Sequence, residues 1–143
     1  MANREKRNKS RGSAGNNRKT GDVFLDKNRG KEDIIETDSG LQYKIIESGE
    51  GDSPNEDSYV IVHQRCTLIN GTLLEDTYRE NEPSEVHMKE LIEGYQEGLM
   101  LMNKGARYKF FIPSELAWGK NGTGNKIPPN AVLLFDVRLV DFW

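Results

Sequence analysis

The chain holds one cysteine, Cys66, and two histidines, His63 and His87. A lone cysteine excludes an internal disulfide and fits a reducing compartment, so the cytoplasm is the expected location unless a leader has been removed. So few soft ligands leave no room for a Cys/His metal cluster, and no nucleophile–His–acid triad can be assembled credibly. No apolar run reaches the roughly 18 residues that a membrane-spanning helix needs. The N-terminus has charge but no apolar segment behind it, which is not the pattern of a secretory signal.

Apolar side chains are nearly missing from the first 22 residues. Residues 1–31 carry ten Lys/Arg against three Asp/Glu, whereas residues 32–143 carry ten against twenty. A segment without apolar groups cannot offset the entropy of ordering. Residues 1–22 therefore read as a disordered basic tail and residues 23–38 as a short linker or helix around Val23-Phe24-Leu25. The remaining residues, 39–143, suffice for one core. Three accounts of the tail stay open. It is a solvated arm, a salt-sensitive weak contact to RNA or an acidic partner, or a basic arm docked on its own acidic domain.

Periodicity sets out the rest. Leu41, Tyr43 and Ile45 alternate with polar neighbours as a strand. Residues 59–69 favour β structure throughout, with Val60, Val62, Gln64, Cys66 and Leu68 on one face. Asn70-Gly71 between two apolar pairs predicts a hairpin with a type I′ turn, positive φ at both positions. Met88, Leu91, Ile92, Tyr95, Leu99 and Met102 mark one helical face. Gly94 and Gly98 within it predict a helix that is short or packs very closely. Tyr108, Phe110 and Ile112, then Leu133, Phe135, Val137 and Leu139, form two further strand faces. Strands with hairpin links and one covering helix predict an α+β domain with an antiparallel sheet.

Residues 112–136, IPSELAWGKNGTGNKIPPNAVLLFD, depart from this regularity. About fifteen residues rich in Gly and Pro separate two strands, and loops of that length usually carry function. Leu116, Trp118, Ile127, Pro128 and Pro129 make it apolar where a solvated loop would be polar. It reads as a flap over something apolar.

The succession SGLQYKII, IVH, LINGTLLED, LIEGYQEGLMLM, IPSELAWGKNG and IPPNAVLLFDVRLVDF resembles the FKBP-type peptidyl-prolyl cis-trans isomerases, nearest to the bacterial macrophage infectivity potentiator branch. The resemblance covers residues 39–143, with a weaker echo from Gly21 and no counterpart for residues 1–21. It implies an antiparallel β half-barrel wrapped around one short α-helix, and an enzyme that assists folding without a cofactor. The site it implies has Tyr95 as floor (usually Trp). Leu74 (usually Phe), Val86, Leu91, Ile92, Ile127 and Phe135 are the implied walls. The Ile92 N–H would donate to the substrate carbonyl. Trp118 stands where a flap Tyr is usual, Glu75 where an Asp is, and Gln64 where a Tyr is. These substitutions lead us to expect an altered pocket with reduced or retuned activity. A non-catalytic module or chaperone that binds apolar Pro-containing segments is the alternative. Implied partners are proline-containing polypeptides and macrolides such as tacrolimus and rapamycin, and a monomer is the expected state.

Overall fold

The computed structural model describes residues 14–124 and 126–143. In chain order these form α1 (Ala14–Arg29), β1 (Ile35–Glu36), β2 (Gln42–Glu47), β3 (Tyr59–Leu68), β4 (Leu73–Asp76), α2 (Thr77–Glu80), β5 (Ser84–His87), α3 (Glu93–Leu99), β6 (Arg107–Ile112) and β7 (Leu133–Phe142). The sheet is antiparallel throughout, in the order β1-β2-β6-β7-β3-β4. β5 shares with β4 the edge of β3 that faces away from β7. The result is the expected half-barrel around α3.

Alternation builds most of the concave face. Tyr108, Phe110 and Ile112 of β6, Leu133, Phe135, Val137 and Leu139 of β7, and Val60, Val62 and Cys66 of β3 are all buried. α3 lies against them through Tyr95 and Leu99, flanked by the fully buried Met88 and Met102. Its two glycines are forced by contact. A Cβ on Gly94 would come within 2.5 Å of Ile112 Cγ2, and one on Gly98 within 2.5 Å of Phe110 Cε1. The backbone of α3 therefore rests directly on β6, and the helix is both short and close-packed.

Two sequence expectations give way. The β3–β4 turn is not type I′. Gly71 has φ +91, while Asn70 is absent from the positive-φ residues. Leu68 O accepts from Gly71 N at 3.0 Å, Leu68 N donates to Thr72 O at 3.0 Å, and Asn70 Oδ1 accepts from Thr72 N at 3.0 Å. This is the longer hairpin loop in which one left-handed glycine closes an ordinary turn.

The second concerns the tail and the linker. Residues 14–22 are not disordered but form the first half of α1, which runs on to Arg29. The disorder read over residues 1–13 falls outside the described residues. The sheet also begins before residue 39, since Ile35 pairs with Tyr43 and Glu36 with Gln42. What orders α1 is docking rather than an apolar stripe. Gly21 is buried, and a Cβ there would stand 2.9 Å from Val132 Cγ2. Leu25 is buried and the Phe24 ring lies 6.2 Å from Phe111. Asn17 Nδ2 donates to Pro129 O at 3.0 Å, Asn130 Nδ2 donates to Ala14 O at 2.9 Å, and Arg18 pairs with Glu115 at 2.7 Å. Glycine close approach and asparagine hydrogen bonds are not visible to hydrophobic periodicity. The described part of the basic segment is thus docked on its own domain.

Candidate functional site

The curved sheet, α3 and the segment between β6 and β7 leave a cavity of about 270 Å³. Gln64, Leu74, Glu75, Leu91, Ile92, Tyr95, Trp118, Ile127 and Phe135 all line it. Val86 does not. It pairs with Val60 across β5 and β3 and packs against the core. Cys66, Glu90, Leu133 and Lys126 also line the cavity. Cys66 and Leu133 share strand faces with Gln64 and Phe135, so the period of two already pointed at them. Glu90 and Lys126 stand on turns, where no period marks them.

The floor is Tyr95, 2 % exposed, with its ring centroid 4.6 Å from that of Phe135. Its hydroxyl donates to Gln64 Oε1 at 2.6 Å, and Gln64 Nε2 donates to Glu75 Oε2 at 2.8 Å. Burial, with Cys66 and Glu75 adding to it, raises the Tyr95 phenol well above its ordinary value of 10. The group is therefore a neutral donor at any ordinary pH. Burial likewise pushes the neighbouring Cys66 thiol up to about 12, so it is no nucleophile.

The walls come from irregular backbone. The β3–β4 ladder shifts register between Cys66 and Thr67, and consecutive residues Leu74 and Glu75 both reach the cavity. Leu91 and Ile92 are extended, with ψ of 157 and 154, just before α3 begins. Leu91 N donates back to Met88 O at 3.1 Å, while Ile92 N–H has no backbone acceptor among the described residues.

The flap is more ordered than a plain loop. It contains two 3₁₀ turns, Ser114–Leu116 and Gly119–Asn121. Thr123 N donates to Ile127 O at 2.9 Å and Ile127 N to Thr123 O at 3.2 Å, and Asn130 N donates to Gly119 O at 2.9 Å. A Cβ on Gly122, at φ +63, would collide with Ile127 O, so no side chain fits there. This brace holds Ile127 at the cavity wall. Trp118 stands at the rim, 45 % exposed. The two histidines serve structure. His63 Nδ1 is 3.0 Å from Thr77 Oγ1 and its ring stacks on Tyr78, and His87 Nδ1 accepts from Lys89 N at 3.0 Å.

Among the described residues no group of three or more His, Cys, Asp or Glu side chains is disposed to hold a metal ion. What the arrangement offers is an apolar, partly enclosed volume with few donors at its edge. Such a volume favours a bound group in its less charge-separated form.

Residues 51–140 match the FKBP-type peptidyl-prolyl cis-trans isomerase family, and residues 1–45 match the domain amino-terminal to that isomerase. The second match gives residues 1–21 a family counterpart that their composition concealed. Among curated proteins the chain is 40 % identical over 132 residues to the probable FKBP-type peptidyl-prolyl cis-trans isomerase FkpA of Neisseria meningitidis, covering 92 % of this chain and 48 % of that one. It is 38 % identical over 124 residues to the outer membrane protein MIP of Legionella longbeachae, covering 87 % and 53 %. The chain thus spans about half the length of these curated relatives. Among solved structures, the crystal structure of FkpA from Escherichia coli superposes with a TM-score of 0.86 at 36 % identity, over 90 % of this chain and 60 % of that one.

Proposed function

The chain belongs to the FKBP-type peptidyl-prolyl cis-trans isomerases, and we propose that its cavity accelerates rotation about Xaa-Pro bonds in proline-containing polypeptides, assisting their folding. The observation that carries this reading is the Tyr95–Phe135 floor under an apolar volume whose rim holds Ile92 and Trp118. Rotation about an amide costs about 18–20 kcal/mol because resonance is lost at the top. The twisted amide is less charge-separated than the planar one, so an apolar, water-poor cavity binds it better than the ground state. A thousandfold acceleration asks for only about 4 kcal/mol of such preference.

In this mechanism Phe135 and Tyr95 receive the prolyl ring, and Leu74, Leu91 and Ile127 exclude water. Ile92 N–H holds the carbonyl on the proline side while the preceding carbonyl swings. Trp118 covers the complex, with an indole N–H that donates and cannot accept. Macrolides such as tacrolimus and rapamycin are proposed ligands of the same cavity, and the cytoplasm is the proposed location.

Exchange spectroscopy on an Xaa-Pro peptide tests the activity directly. Exchange faster than the uncatalysed tens to hundreds of seconds supports the enzyme. Suppressed aggregation without turnover supports the chaperone alternative. Ligand binding is read from Trp118 fluorescence in a Trp143→Phe background, because Trp143 is the second tryptophan and is 58 % exposed. A saturating macrolide that leaves the Trp118 signal unchanged would remove Trp118 from the binding site.

A further inference from the structure

The Tyr95 hydroxyl lies beneath the cavity, and its hydrogen goes to Gln64 Oε1 at 2.6 Å. That amide is itself held, because Gln64 Nε2 donates to Glu75 Oε2 at 2.8 Å. A Gln64 amide turned over would set Oε1 against the Glu75 carboxylate, acceptor facing acceptor. The charge on Glu75 therefore decides which way Gln64 points, and Gln64 decides which way the Tyr95 hydrogen points. The three residues come from three elements, β3, β4 and α3, and meet only at this cavity.

Resting on the isomerase reading above, we propose that Gln64, held by Glu75, is a positioning residue that keeps the Tyr95 hydroxyl hydrogen out of the reaction volume. A phenol free to turn would donate to a bound carbonyl. The planar amide, having more charge on its oxygen, would gain more from that bond than the twisted one. Such a donor stabilises the ground state and slows rotation. Tied to Gln64, Tyr95 offers the prolyl ring its aromatic face alone. The chain of bonds makes a polar residue act as an apolar floor.

Four proteins decide it: the wild type, Gln64→Leu, Tyr95→Phe and the double variant, each assayed for kcat/KM on an Xaa-Pro peptide per folded molecule, with the folded fraction read by circular dichroism. Gln64→Leu is expected to lower kcat/KM about tenfold when Tyr95 is present and less than about twofold in the Tyr95→Phe background. Glu75→Gln leaves the exposed position polar and the fold intact, and frees the Gln64 amide to turn. It is expected to cost about threefold with Tyr95 present and nothing measurable in the Tyr95→Phe background. That pair decides the matter if Gln64→Leu fails to fold. Equal losses in both backgrounds overturn the proposal, as does a shift in unfolding midpoint with kcat/KM per folded molecule unchanged. A wild type without turnover overturns the isomerase reading and this proposal with it, whereas an active wild type without coupling overturns the proposal alone.

Discussion

Asn28 Nδ2 donates to Gln42 Oε1 at 2.7 Å, and the two amides are 2 % and 0 % exposed. This bond joins the last turn of α1 to the first residue of β2, 14 positions later in the chain. The same Gln42 donates through Nε2 to Leu25 O at 3.0 Å and to Glu36 Oε2 at 2.9 Å. Every polar atom of the Gln42 side chain is thereby satisfied inside the protein. Replacing Asn28 by Leu strands Gln42 Oε1 in a dry interface, at a cost of about 1–3 kcal/mol. Urea unfolding of Asn28→Leu should show that loss. A variant as stable as wild type would mean that water reaches this joint.

The glycines predict opposite outcomes from one substitution. Gly98→Ala forces a Cβ to 2.5 Å from the Phe110 ring, and the helix backbone cannot yield without leaving β6. Overpacking of this kind costs about 1–3 kcal/mol or more. Gly15, in α1, has nothing within 4 Å of the Cβ position. Gly15→Ala should stabilise by about 0.5–1 kcal/mol through the smaller freedom of the unfolded chain. Thermal melts of the two single variants should move in opposite directions.

The strand faces were legible in the sequence because Val60, Val62 and Cys66, Tyr108, Phe110 and Ile112, and Leu133, Phe135, Val137 and Leu139 recur at every second position, broken in β3 only by Gln64, and a half-buried sheet imposes that period. Gly94 and Gly98 announced close packing for the same local reason. The helix over residues 14–22 was not legible, because Gly21, Asn17 and Asn28 act there by shape and hydrogen bonding against residues more than a hundred positions away or in another element. The site stood between these cases. The resemblance brought Gln64, Glu75 and Tyr95 forward one by one as unusual occupants of the pocket. That they bond to one another depends on spatial contacts across 11 and 31 residues, which no local pattern encodes. Val86, which the resemblance implies as a wall, is set by its pairing with Val60 across β5 and β3, and it is not among the residues that line the cavity.

Glu36 makes stability depend on acid. Arg29 Nε lies 2.9 Å from both of its carboxylate oxygens, and Gln42 donates to it as well. The Arg29 guanidinium first, and Gln42 second, hold the Glu36 carboxyl below its ordinary value of 4.5. The unfolded chain then binds this proton at higher pH than the folded one does. The stabilisation is present in full above 4.5 and is lost as the pH falls through the lowered folded value. Glu36→Gln should be less stable than wild type at neutral pH, and the gap should close on acidification below 4.5. A constant gap from pH 7 to pH 3 in urea midpoints would place the effect elsewhere.

Cys66 bears on the alkaline side. Burial first, and the nearby Glu75 carboxylate second, push the thiol from an ordinary 9.0 up to about 12. The folded protein keeps this proton where the unfolded chain releases it. Stability from Cys66 is therefore present below pH 9 and is lost as the pH rises toward 12. Native protein at pH 8 should resist iodoacetamide and should react stoichiometrically once urea unfolds it. Rapid alkylation of the native state would show that the cavity opens to Cys66 far more often than its 5 % exposure implies.

The flap is held by α1, none of whose residues lines the cavity. Asn17 Nδ2 bonds Pro129 O, Asn130 Nδ2 bonds Ala14 O, and Arg18 pairs with Glu115, so α1 grips both the outgoing and the returning limb. Pro129 is two residues from Ile127, which forms the cavity wall. The Arg18–Glu115 pair is exposed and contributes little by itself. The Asn17 bond is part-buried, and losing it costs about 0.5–1.5 kcal/mol of whatever state it favours. Because that bond steadies the flap and touches no substrate, Asn17→Ala should raise KM by about two- to tenfold while kcat changes less. Peptide titrations with the Asn17→Ala and Arg18→Ala variants measure this split. An Asn17→Ala variant with wild-type KM and a lowered unfolding midpoint would make α1 a strut for the fold alone, without influence on the flap.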